Sequence, residues 1–308
     1  MNIKLVIKAD VIPMTWDQFC KDTDPYSLAL DGFVCDGPQY DFSGPRVNFN
    51  HHENCDRLAT RSTCAQVLMA IRQGMFKLFR DPNGPKADVY VNDCDEDVCL
   101  SWFLLKNSYL VVGAMNPLIN RLVTMEDALD CTAGAYPYPG DLPVLQELAW
   151  IFEPYRLFRI NGGIERKINS QFQSVITDVE NRILKHITGT GSNVPFDCRY
   201  ETLGGGAGWS LVKEIGAQAR NGMFSDGIQS YISVRERPDN KWTYTIGKLS
   251  SFIPFNLQFL YDELNKIDSN GSDRWGGSNT VGGSPRVGGS KLSPSDLQNI
   301  INSLIKTM

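Results

Sequence analysis

The chain has 308 residues, 42% of them hydrophobic and 21% charged, with a formal net charge of −5. That length suits about two domains, each able to bury its own core, and the composition excludes disorder, collagen-like repeats and a small disulfide-stapled scaffold. With 30 Lys and Arg against 35 Asp and Glu there is no global basic field, which excludes an extended duplex nucleic acid as partner and leaves room for a local pocket taking a short anionic ligand.

Read in chain order, IKLVIKADVI (3–12) is a β-branched run and an opening strand. LDGFVCD (30–36), RVNFNHH (46–52) and DVYVNDCD (88–95) are short strand-like runs that end in polar residues. Between the last two, Thr63 and Gln66 spell a capping box, and apolar positions from Val67 to Phe79 follow at helical spacing. EDVCLSWFLLKN (96–107) is apolar nearly all round, as a helix buried against a sheet would be. Helices are also predicted near 142–152 and over 168–186, where His186 ends an amphipathic stripe as a structural residue. GTGSNVP then marks a boundary near 189–195.

Beyond the boundary the sequence predicts a turn at GGGAG (204–208), a helix over 210–221 and a hairpin from IQSYISVRER and KWTYTIGKLS. A helix at 256–267, a glycine- and serine-rich tract over 270–290 and a last helix opened by Ser293-Pro294 complete the chain. The expectation is an α/β protein: a mostly parallel sheet flanked by helices over 1–190, and a second, smaller α/β (α+β) domain over 195–308. A mean hydropathy of −0.24, no apolar run of roughly 20 residues and no export signal predict a soluble cytoplasmic protein without a membrane partner. The eight cysteines form no C-x-x-C pair and read as buried hydrophobes in a reducing compartment.

Chemistry concentrates where strands end. His51 and His52 are adjacent among only three histidines, and neighbouring strand residues serve one site only if the chain bends there. Asp31, Asp36 and Asp41 lie upstream; Asp93, Asp95, Glu96 and Asp97 crowd the junction of a strand and a helix. Carboxylates so crowded raise each other's pKa, and a divalent cation relieves them: Mg²⁺ and Mn²⁺ take oxygen ligands, and Mn²⁺ also accepts imidazole. Helix-capping charge alone would need one or two of these acids. Asp127 and Asp130 form a third acidic site, with Asp130 running into a small-residue turn. Arg57 and Arg61 can face a phosphate or pair with these acids, and Trp102 and Phe103 read as core.

Strand-end acids, a His-His pair and a further Asp before a small-residue turn resemble the DHH phosphoesterase superfamily, most closely its melanocyte-proliferating-gene-type nuclease branch. DGPQYDFSGPRVNFNHHE is similar to that branch's stretch ending in Asp-His-His, VNDCDEDVCLSWFLL to its first acidic motif and EDALDCTAGA to its later Asp-containing motif. WGGSNTVGGSPRVGGSKLS resembles the glycine-rich substrate loop of the associated second domain. Here Asn50 stands where the superfamily has Asp, and the acid cluster follows the His pair instead of preceding it.

The resemblance implies a phosphoesterase that hydrolyses a nucleotide, dinucleotide or short oligonucleotide with one or two Mn²⁺ or Mg²⁺ ions. It implies Asp93, Asp95, Asp130, Asp36 and His52 as metal ligands, and His51 and His52 as catalytic groups. In the tract, Gly282, Gly283, Ser284, Gly288 and Gly289 would let backbone N–H groups approach an anion, with Arg286 as a bidentate fork and Lys291 adding charge. Two alternatives stay open: a non-catalytic relative that binds a nucleotide or a protein, favoured by Asn50, and a histidine- or cysteine-based enzyme with a covalent intermediate, for which Cys55 and Cys94 sit beside candidate site residues. The oligomeric state is open, a homodimer among the options.

Overall fold

The computed structural model describes residues 2–113, 115–135, 138–269, 271 and 273–306, so Asn270 and Ser272 of the glycine-rich tract lie outside the described residues. The chain divides into two compact units, residues 1–131 with 140–195 and residues 132–139 with 196–308. No helix among the described residues is long and apolar enough to cross a membrane.

The first unit opens with β1 (Asn2–Ile7) and α1 (Trp16–Asp22), whose cap Thr15 exchanges hydrogen bonds with Gln18. β2 (Ser27–Leu30), β3 (Gln39–Asp41), β4 (Arg46–Phe49), α2 (Thr63–Arg72), β5 (Arg80–Asp81), β6 (Gly84–Val91) and α3 (Glu96–Lys106) follow. Four more helices complete it: α4 (Pro117–Cys131), α5 (Pro143–Ile160), α6 (Gly163–Arg166) and α7 (Asn169–Ile187). The sheet order is β1-β6-β2-β4-β3. The first four strands are parallel, β3 is antiparallel at the edge, and β5 pairs antiparallel with β6. Parallel strands are covered on both faces, and all of Ser27–Leu30 is buried. Phe19 of α1 packs among Ala29, Phe33 and Val34. α3 is buried from Asp97 to Leu105, against α2, α4 and α7.

The strand order positions the site. From β1 the chain steps over β6 to reach β2, and from β4 it steps back over β2 to reach β6. Crossovers that run in opposite directions, each right-handed as such units are, make a switch point at the carboxyl ends of the strands, where α/β sheets place their sites. Asp31 leaves β2 there, Asn50–His52 leave β4, and Asn92–Asp95 leave β6.

Local chemistry moved two predicted elements. The strand expected at 30–36 lies at Ser27–Leu30, because Asp31 (φ 50°) and Gly32 (φ 79°) turn the chain into the left-handed region. The helix expected to reach Phe79 stops at Arg72, before left-handed Gly74. Its cap is Ser62, not Thr63, which frees the Thr63 hydroxyl for the site.

The second unit holds β7 (Tyr200–Gly206), β8 (Trp209–Glu214), α8 (Ala219–Ser225), β9 (Ser230–Glu236), β10 (Trp242–Lys248), α9 (Leu257–Ile267), β11 (Gly276–Gly277), β12 (Val281–Gly283) and α10 (Pro294–Ile305). Its sheet runs β11-β12-β10-β9-β8-β7, with only the β8–β9 pair parallel. The molecule is therefore α/β with two mixed sheets and ten α-helices among the described residues, and the expected mostly parallel arrangement does not extend to the second sheet. Short turns join β7 to β8 and β9 to β10, and such connections make antiparallel pairs. Gly204–Gly206 close β7 and the turn predicted over 204–208 narrows to Ala207-Gly208, while 210–221 is a strand followed by a short helix, because alternation in WSLVKE buries Trp209 and Leu211. Trp275 stacks on Tyr244 at 5.8 Å in a core shared with Tyr261, Leu264, Leu297 and Ile301.

Candidate metal centre

Asn50 makes the bend that a two-histidine site requires. Its side-chain oxygen accepts the backbone N–H of both His51 (2.8 Å) and His52 (3.1 Å). Its amide nitrogen donates to the carbonyls of Val34 (3.2 Å) and Asp36 (2.9 Å) and to the Glu53 carboxylate (3.0 Å). Both imidazoles consequently lie on one side, with ring centres 4.6 Å apart.

His51 is fully buried, and three carboxylates surround its Nε2: Asp130 Oδ2 at 2.7 Å, Asp31 Oδ1 at 3.5 Å and Asp97 Oδ2 at 3.8 Å. Asp31 also meets His52 Nε2 at 2.9 Å and the Thr63 hydroxyl at 3.0 Å. Asp97 accepts the N–H groups of Thr63 and Cys64, both at 2.6 Å, at the start of α2, where a helix leaves such donors unpaired. Arg57, 2% exposed, donates to the backbone carbonyls of Asp130 and Cys131. Four chain segments thus converge on one imidazole.

The charges do not balance inside the protein. Burial would lower His51, but Asp130 beside it holds its pKa well above the usual imidazole value. Burial would raise Asp31 and Asp130; the imidazoles hold Asp31 well below the carboxylate range, and His51 followed by Arg57 brings Asp130 to about 2. Asp97 has weaker help, and burial with the charges of Asp130 and Asp31 pushes it up to about 8. Burial and the same neighbours also push Asp95 well up, and burial with Glu96 and Asp130 does so for Glu126. Carboxylates packed this densely, with few cations among them, call for positive charge.

The donor set fits a divalent cation. His51 Nε2 and Asp130 Oδ2 are 2.7 Å apart yet misaligned for a hydrogen bond, and neither atom has a hydrogen-bond partner. His51 Nδ1 has none either. Unsatisfied buried polar atoms are costly, and ligands of one ion pack about 3 Å apart when its bonds are near 2.1 Å. Two overlapping groups meet the spacing that one ion needs, Asp31-His51-His52 and His51-Asp97-Asp130.

Of the residues expected from sequence, the structure brings His51, His52 and Asp130 together. Asp130 comes from the last turn of helix α4 instead of a strand-to-loop junction. Asp36 is engaged elsewhere, accepting from the Trp16 N–H (2.9 Å) and the Asn54 amide (3.1 Å). Asp95 caps α3 through the Val98 N–H (2.9 Å), and Asp93 accepts the Cys94 N–H (2.7 Å); neither joins the two groups around His51. Asp31 and Asp97 take their place. Asp127 pairs with Arg61 (2.8 Å) and Glu96 with Arg156 (2.9 Å). Burial pushes the Cys55 and Cys94 thiols up, against the thiolate that a covalent mechanism uses. His186 is buried in α7, and burial lowers its pKa.

In the second unit the glycine tract spends its donors internally. Gly282 and Gly283 belong to β12, and Ser284 is buried with its hydroxyl accepting the Tyr244 N–H. The N–H groups of Val287 (3.2 Å) and Gly288 (2.5 Å) go to the carboxylate of Asp273, and that of Gly289 to the Pro285 carbonyl (3.0 Å). The expected anion cradle is filled by the chain's own acid. Arg286 is exposed.

A scan against protein-family models finds no match for the chain, and a search of curated proteins finds none either.

Proposed function

We propose that the chain is a metal-dependent phosphoesterase of the DHH-like type, acting on a nucleotide, dinucleotide or short oligonucleotide. One observation carries the reading: a fully buried imidazole whose two nitrogens have no hydrogen-bond partner, with Nε2 lying 2.7 Å from a carboxylate oxygen that has none either. His51, Asp97 and Asp130 would hold the ion, with Asp31 beside His51 as a neighbouring donor. Mn²⁺ suits this mixed imidazole and carboxylate set better than Mg²⁺, which prefers oxygen throughout. When bound, such an ion polarises a phosphoryl oxygen and makes an attacking water more acidic.

The chain's own residues prepare that chemistry. Thr63 and the α2 amides fix the carboxylates of Asp31 and Asp97, and Arg57 ties the last turn of α4 to the histidine segment. Carboxylates fixed in this way need no reordering to receive an ion. Asn50 does not argue for a non-catalytic relative, because it acts as the bend that presents both imidazoles.

The test is release of mononucleotide from a dinucleotide with Mn²⁺ added, together with calorimetric titration of Mn²⁺. Turnover in the wild type that is lost in Asp130→Asn and His51→Ala is the expected result. Turnover that survives both substitutions refutes the site. Mn²⁺ and nucleotide binding without turnover would define a binding module and refute the enzyme.

A further inference from the structure

We infer that Arg57 fixes the tautomer of His52 and so makes this histidine a hydrogen-bond donor to Asp31 and not a ligand of the metal. The second half rests on the metal centre proposed above; the first half does not. A guanidinium has donors only and stays protonated. Its NH1 group lies 3.3 Å from His52 Nδ1, and its other nitrogens are tied to the backbone carbonyls of Asp130 and Cys131. His52 Nδ1 must therefore accept, and in the neutral ring the proton sits on Nε2. That nitrogen is 2.9 Å from Asp31 Oδ1, the carboxylate oxygen that also accepts the Thr63 hydroxyl, so the N–H points at an acceptor.

A histidine binds a metal through a ring lone pair. In His52 one lone pair faces Arg57, and the other nitrogen carries the proton. In His51 neither nitrogen has a hydrogen-bond partner, and Nε2 faces carboxylates alone. Adjacent residues of one type are thus separated in role by a single arginine: His51 supplies a lone pair, and His52 supplies a proton that holds Asp31 in place. This inverts the usual support, in which a carboxylate orients a ligating histidine. Arg57 is a positioning residue.

Nuclear magnetic resonance of the imidazoles decides the matter, and with three histidines in the chain the spectrum is simple to assign. In the metal-free wild type at alkaline pH, His52 is expected with a protonated Nε2 and an unprotonated Nδ1. A proton on Nδ1, or on both nitrogens, overturns the inference. Arg57→Lys should keep the Nε2–H form, and a folded Arg57→Met should shift towards a mixture; no change in Arg57→Met overturns the role of the arginine. If that variant does not fold, the wild-type spectrum still decides the tautomer. With the NMR-active cadmium isotope added, His51 should show metal coupling and His52 none. His52→Gln, which keeps a donor for Asp31, should hold Cd²⁺ within about tenfold of wild type. Metal coupling at His52 overturns the second half. Failure of Cd²⁺ to bind at all would defeat the metal centre while leaving the tautomer measurement intact.

Discussion

Asn50→Asp would put an acid directly before the two histidines, and it should damage the protein. Asn50 is fully buried. The new side chain could still accept the His51 and His52 N–H groups, but its second oxygen would face the Val34 and Asp36 carbonyls and Glu53 Oε2, all within 3.2 Å of the present amide nitrogen. Asp36 keeps the Asn48 amide as a donor, so Val34 is the carbonyl most exposed to loss. An orphaned buried carbonyl costs about 1–3 kcal/mol, and a buried carboxylate against another acid raises the total to about 3–5 kcal/mol. That is a large fraction of a typical stability of roughly 5–15 kcal/mol. Protonating the new acid restores one donor. Its folded pKa is thus raised, and the penalty should grow as pH climbs past the unfolded value of about 4. Urea unfolding of chelated protein at roughly pH 5 and pH 8 measures both effects. Equal stability of Asn50→Asp and wild type at both values, or tighter Mn²⁺ binding by the variant, would refute the account of Asn50 as a bend.

Further outcomes follow from the same geometry. Without metal, stability should fall as pH rises from about 4 to about 8: Asp97, Asp95 and Glu126 are raised, so the native state keeps protons that the unfolded chain releases, and added Mn²⁺ should cancel the fall. Asp31 and Asp130 are lowered, so their contribution should be lost only in acid, below about pH 4, as followed by circular dichroism. Gly205→Ala would place a Cβ 2.5 Å from the Trp209 carbonyl oxygen at φ 137°, and should cost about 2–4 kcal/mol of second-unit stability by urea titration. Asp273→Ala frees the N–H groups of Val287 and Gly288, and should cost about 1–3 kcal/mol and speed proteolysis within 285–290.

The sequence made several elements legible because one force set each of them. The all-round apolar run at 96–107 can only be a buried helix, and Ser293-Pro294 can only start one. The site was half legible. His51, His52 and Asp130 stand out by residue type, but a strand read over 30–36 ends at Asp36, whereas the true strand ends at Leu30 and presents Asp31. The usable signal was an apolar run, Leu28 to Leu30, ending in Asp31-Gly32, where a left-handed turn is cheapest. Asp97 looked like helix-end charge, since nothing local reveals that its partners are amides more than thirty residues earlier, at Thr63 and Cys64. Arg57 was ambiguous for the same reason: its contacts with Asp130 and Cys131 exist only after folding. The glycine tract misled because its composition fits both an open cradle and one already filled by Asp273.

The distances along the chain between Asp31, His51, Asp97 and Asp130 carry one more consequence. An ion held by His51, Asp97 and Asp130, with Asp31 packed against the same imidazole, would act as a cross-link that closes two successive long loops, in the manner of a staple. Chelation would then loosen the first unit as a whole, and amide exchange in β2, α3 and α4 would quicken together, well away from the ion itself.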